Sequence, residues 1–197
     1  MATTTATKVS LPYTGDPAAD QLLAEDPLAL VIGLALDQQV PVQKAFRGPY
    51  DLRQRLGHLD PGRIARMDAG KLETVFQQRP AIHRFPAAMA RRVQELCAVI
   101  VREYQGDAQR IWEGAPDAAT VSKRLAALPG FGEMKVRTMM AILPKRLGVR
   151  PRGWEALVPR HPTLGDVDTP AALANYQQQK RLHKAAVRAA ESKKTTR

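Results

Sequence analysis

Between Asp26-Pro27 and Asp37 the chain runs Leu28-Ala29-Leu30-Val31-Ile32-Gly33-Leu34-Ala35-Leu36, nine residues without one polar side chain. Aspartate followed by proline is a helix start: the carboxylate caps the free amides and proline suits the first helical position. Pro41 limits the helix at its far end. A helix apolar on nearly every face has to be enclosed by other elements, so this one belongs at the centre of a core. The rest of the chain reads as short helices broken by proline and glycine. One over 41–56 is interrupted at Gly48-Pro49, and two more start at Asp60-Pro61 and Asp68, over about 61–67 and 69–77. A long amphipathic helix is predicted over about 86–104, with Met89, Val93, Leu96, Ile100 and Val101 on one stripe. Asp107 and Asp117 cap the next two, and a last helix follows Ala172 and frays near Ser192. No alternating strand, internal repeat or low-complexity tract is visible. The fold class is all-α, about ten helices in two intertwined lobes.

The chain has 197 residues and a formal net charge of +11. That length buries enough surface to fold without disulfides. A single cysteine, Cys97, excludes an internal disulfide, a multi-thiolate zinc site and a four-cysteine iron–sulfur cluster. It fits a reducing, cytoplasmic compartment. The histidines show no metal-ligand spacing, and no metal site is expected. No apolar run is long enough to span a bilayer, and Met1–Thr5 does not start a secretory signal. The positive charge favours a polyanion. It is uneven: Lys180–Arg197 holds seven basic residues and one acid, hence +6, while residues 1–179 carry +5. That tail either grips phosphates or is a solvated helix end. The expected organisation is a flexible N-terminus over 1–14, a domain over 15–179, and the basic helix end and tail over 180–197.

Residues 117–143 are the most informative. A helix to Ala127 is followed by Leu128-Pro129-Gly130-Phe131-Gly132, then by a second helix from Glu133 that Pro144 stops. Two glycines two apart allow a sharp turn with positive φ and close approach of a phosphate. Free amides at the start of the second helix make an anion site, and Lys135 and Arg137 add charge. This segment resembles the helix-hairpin-helix element of the HhH-GPD superfamily, the base-excision DNA glycosylases that include endonuclease III and 3-methyladenine DNA glycosylase II. A second match is Leu36-Asp37-Gln38-Gln39-Val40, similar to the glutamine-bearing end of that superfamily's early apolar helix. The likeness covers roughly residues 25–165. Ala81-Ile82-His83-Arg84-Phe85-Pro86 and Gly148–Trp154 are similar to a small actinobacterial-type group without the iron–sulfur cluster.

The resemblance implies a monomer that binds double-stranded, damaged DNA through Gly130, Phe131, Gly132, Lys135 and Arg137. Gln38 or Gln39 would lie beside the extruded base or in the gap it leaves, and Trp154 would stack on a base. It implies a nucleoid-associated protein with no cofactor, apart from a monovalent cation held by the hairpin carbonyls. The chain departs from the superfamily at its catalytic positions. The lysine of bifunctional members falls on Met134, one residue before Lys135, and one helical step turns a side chain by about 100 degrees. Lys135 is therefore a better phosphate contact than nucleophile. The expected loop aspartate is absent: Glu155 is the nearest carboxylate, and Asp166 and Asp168 come late, with Asp168 near the cap of the last helix. Asp37 is the other candidate acid, since the end of an apolar helix can bury it and raise its pKa. His83 reads as a structural donor or a base-reading side chain, and Trp112 as core. A water-mediated glycosylase using Asp37, Lys135 or Asp168 is the leading expectation. A catalytically silent lesion binder and an RNA-binding module are the alternatives.

Overall fold

The computed structural model describes residue 9 and residues 11–195, and the side chains of 183, 184 and 186–195 lie outside that description. Among the described residues the chain is all-helical, with no strand. Nine α-helices follow one another: α1 (Pro17–Glu25), α2 (Pro27–Leu36), α3 (Val42–Leu56), α4 (Pro61–Ala65), α5 (Ala69–Gln77), α6 (Pro86–Tyr104), α7 (Ala118–Ala126), α8 (Glu133–Arg146) and α9 (Pro170–Thr195). Short 3-10 turns cover Ala108–Ile111, Trp154–Ala156 and Leu164–Asp166.

Helix α2 is the axis of the molecule. Asp26 caps it by accepting from the Leu28 and Ala29 amides at 2.9 and 3.3 Å. Every residue from Leu28 to Leu36 is buried, and α1, α3, α6 and α8 all pack on it. Helices α2 and α3 cross closely because each offers a glycine. A Cβ on Gly33 would lie 2.8 Å from the Phe46 ring, and one on Gly48 would lie 2.4 Å from Leu36 Cδ1. This crossing explains why Gly48-Pro49 does not break α3. Proline removes the N–H that would bond the Ala45 carbonyl, but Gly48, Pro49 and Leu52 are buried in the crossing and the segment stays helical. Pro144 likewise lies inside α8, buried and held by the 3-10 turn at Leu164–Asp166.

The buried side chains form one continuous cluster from Leu11 to Leu173, so the expected lobes share a single core. The ordered part begins before residue 15. Leu11 and Tyr13 are fully buried, and the Tyr13 hydroxyl donates to the Leu164 carbonyl at 2.7 Å. The remainder of the expected flexible N-terminus, residues 1–8 and 10, lies outside the described residues, as do residues 196 and 197 of the expected tail. Helix α9 begins at Pro170 and continues past Ser192 to Thr195. Its start is capped by the Thr169 hydroxyl, which accepts from the Ala172 amide at 3.1 Å, so Thr169 and not Asp168 holds that end. Trp112 lies in the core, and Cys97 completes the buried stripe of α6 while Val101 is half-buried.

Gly165 lies tight against backbone: a Cβ there would sit 2.6 Å from the Ala141 main chain. Backbone cannot swing aside as a side chain can. Gly165→Ala should therefore lower stability by about 1–3 kcal/mol, measured as a reduced urea midpoint with unchanged slope.

Candidate functional site

The end of α2 gathers most of the chemistry. Its last carbonyls lack helical partners. Lys135, from the first turn of α8, donates its ammonium to the Ala35 carbonyl at 2.8 Å. A cation at a helix C-terminus is favoured by the aligned peptide dipoles. Lys135 is half-buried, and burial is the main reason its pKa falls to about 8, with Arg92 adding to the drop and Asp37 opposing it. Asp37 caps the C-terminus of α2 and is also half-buried. Burial pushes its carboxyl above the usual carboxylate range, against the pull of the Lys180 and Lys135 charges. An acid with a raised pKa and an amine with a lowered one thus share one small, partly dehydrated region. Opposed shifts of this kind mark a candidate acid–base site.

The loop beyond Asp37 is held from several sides. The Gln38 amide donates to the Leu36 carbonyl at 2.7 Å, and Gln39 adopts a left-handed conformation with φ of 56°. His83 is buried. Its Nδ1 accepts from the Phe85 amide at 3.0 Å, so Nε2 carries the proton and donates to the Gln38 carbonyl at 3.0 Å. Burial lowers the His83 pKa and favours this neutral form. Its role is structural, as a clamp on the glutamine loop. Arg92, on α6, donates to Gln38 Oε1 at 2.6 Å. Both glutamine side chains are exposed. Phe85, 41% exposed, stands beside this loop with the Arg84 guanidinium 4.8 Å from its ring centre.

The hairpin is present as a turn between α7 and α8, but its residues do not all face outward. Only Gly130 takes positive φ, at 79°, whereas Gly132 has φ of −86° and caps α8. Gly130 is needed for a second reason: a Cβ there would lie 2.5 Å from the Arg92 side chain. Phe131 is buried, so it packs the hairpin and offers no contact to a ligand. Its burial follows from the turn, which folds the residue between the glycines inward onto Leu128 and Val136 of the core cluster. Lys135 turns toward Ala35 and stays half-buried, because its place on α8 faces the end of α2. In this structure its ammonium is bonded to the Ala35 carbonyl, with the Asp37 charge acting on it. Met134, at the superfamily's lysine position, is 63% exposed. Arg137 is exposed and bridges Glu133 at 2.6 Å.

The carboxylates after the hairpin are engaged or remote. Asp166 pairs with Lys145 at 2.5 Å and closes a capping box with Thr163, and these bonds hold its pKa down. That pairing also occupies Lys145. Asp168 is exposed ahead of α9. Lys180, the α9 residue that acts on Asp37, lies about 15 Å further along that helix. Glu155 is exposed. Trp154 is half-buried, with the Arg150 guanidinium 5.8 Å from its ring centre. A cleft of about 630 Å³ opens along α7 and α8 under residues 156–161, and it includes Arg137 and Glu133. Asp37 and Lys135 do not line it. Two positions along a helix turn a side chain by about 200 degrees, so Arg137 and Lys135 serve opposite sides of α8.

The sequence did not single out Arg92 or Lys180. Arg92 lies one turn from Met89 at the margin of the buried α6 stripe, a position where a long basic side chain lays its stem on apolar surface. Lys180 was visible only as one charge in a run. Among the described residues no group of three or more His, Cys, Asp or Glu is placed to hold a metal ion. Cys97 is buried, and burial pushes its thiol up to about 12. No described helix is long and apolar enough to cross a membrane. No protein-family model, curated protein or solved structure matches the chain.

The lowered Lys135 pKa has a consequence for stability. The unfolded chain holds this proton up to about pH 10.5, the folded chain only to about pH 8. Between those values the unfolded state binds more protons, so this residue's contribution rises with pH. Lys135→Met should flatten that rise. The comparison is made with urea melts at pH 7 and pH 10.

Proposed function

We propose that this protein binds damaged double-stranded DNA and acts as a DNA glycosylase of the helix-hairpin-helix type, with Asp37 and Lys135 as its reacting pair. One observation carries the reading: an acid and an amine with opposed pKa shifts meet beside an exposed glutamine loop and a glycine hairpin. A net charge of +11 favours the polyanion. Free amides at the start of α8 suit a phosphate. Phe85 offers an exposed aromatic face to an unstacked base. Cleavage of the N-glycosidic bond leaves its electron pair on the departing base and positive charge on the sugar. The Asp37 carboxylate would steady that charge and accept a proton from the attacking water. Lys135, protonated below about pH 8, would give a proton to the base. This route is monofunctional and needs no covalent intermediate. A monovalent cation, if held at the hairpin, would be held by its backbone carbonyls.

A second reading is a catalytically silent lesion binder on the same scaffold. It is favoured by the loop after the hairpin, whose Asp166 is tied to Lys145 and Thr163.

The deciding experiment presents duplexes containing uracil, alkylated purines, hypoxanthine, 8-oxoguanine or an abasic site. Strand breaks that appear only after alkali are the expected result. Asp37→Asn should then slow base release by at least about a hundredfold while leaving duplex affinity within about twofold. Borohydride trapping would instead make Lys135 a nucleophile. Salt-dependent binding with no base release from any duplex would favour the silent binder.

A further inference from the structure

We propose that Arg92 is a positioning residue that fixes which way the Gln38 carboxamide faces, so that Gln38 presents its NH2 group to a hydrogen-bond acceptor on a base. The inference rests on the DNA-binding reading above and adds a specificity to it.

A guanidinium has donors and no acceptor. The Gln38 atom facing Arg92 at 2.6 Å is therefore the amide oxygen, and the contact is a short charge-assisted bond. Both partners are restrained. The Arg92 stem is half-buried and occupies the space a Cβ on residue 130 would take, so the hairpin turn holds it in place. The Gln38 backbone is pinned by its amide bond to Leu36 and by the bond from His83. The side chain is nevertheless exposed, and with its oxygen on Arg92 the NH2 donors are what it has left to offer a ligand.

This limits what Gln38 can read. A free carboxamide turns over and serves a donor or an acceptor equally. The fixed one would lose its bond to Arg92 on turning. It therefore favours a base edge that offers carbonyl oxygens or ring nitrogens, and it tolerates loss of such acceptors poorly.

The test uses a duplex with a tetrahydrofuran abasic-site analogue opposite either thymine or its difluorotoluene isostere. The isostere keeps the shape and lacks the carbonyl acceptors. Wild-type protein should bind the thymine duplex about fivefold tighter. Gln38→Ala should bring the ratio close to one. Gln38→Glu should do the same, since a carboxylate satisfies Arg92 and has no donor to present. Arg92→Ala should shrink the ratio and Arg92→Lys should restore it, a pattern that a purely structural loss would not produce. Gln38→Glu keeps the proposal falsifiable even if Arg92→Ala fails to fold, because Gln38 is exposed. Equal binding of both duplexes by the wild type would overturn the proposal and spare the DNA-binding reading. So would a ratio unchanged by Gln38→Glu or by folded Arg92→Ala. Absence of salt-dependent binding to either duplex would sink both.

Discussion

A helix enclosed on every side still has to release its last carbonyls, and much of this molecule follows from how α2 does so. Its residues are apolar all round, so nothing on its own flank can satisfy the carbonyls of its final turn. The Ala35 carbonyl recruits the Lys135 ammonium from α8. That single bond draws a cation into a region poor in water, which lowers the amine's pKa. The same region surrounds Asp37 and raises its pKa. The acid and the amine are thus adjacent because of the way one buried helix ends. Catalytic chemistry there would use an arrangement that the core already requires.

The core and the caps were largely legible in the amino-acid order. Asp26-Pro27, Asp60-Pro61, Asp107 and Asp117 each cap the element expected of them, because capping depends on a few neighbouring atoms. The stripe on α6 was readable for the same local reason. Pro49 and Pro144 misled, since a proline's local cost is set against burial that only the assembled core supplies. The site was legible by halves. Asp37 and the glutamines could be placed at the end of an apolar helix. The direction of Lys135 could not, because it depends on where α8 lies against α2, a separation of 100 residues. Phe131 faced inward for a related reason: the sense of a turn decides which of its residues meets the core.

The Gln38 loop shows how an exposed segment can be held still without being buried. His83 fixes its backbone, Arg92 fixes its side chain, and Arg92 in turn leans on Gly130. Three separate stretches of sequence therefore meet at one loop. Helix α9 adds a fourth, since Lys180 acts on Asp37 and the Gln177 and Gln43 amides exchange two hydrogen bonds at 2.8 and 3.1 Å. The basic run after residue 180 accordingly departs from the neighbourhood of the acid–amine pair.

The Tyr13 hydroxyl meets the Leu164 carbonyl across 151 residues of chain. A contact of that span cannot form on a ribosome until Leu164 has been synthesised and has cleared the exit tunnel. Until α8 has emerged, α2, apolar on all sides, has nothing to cover its end. While the residues between α2 and α8 are being made, the nascent chain therefore carries an adhesive segment that the folded molecule conceals. Slow translation would lengthen that interval.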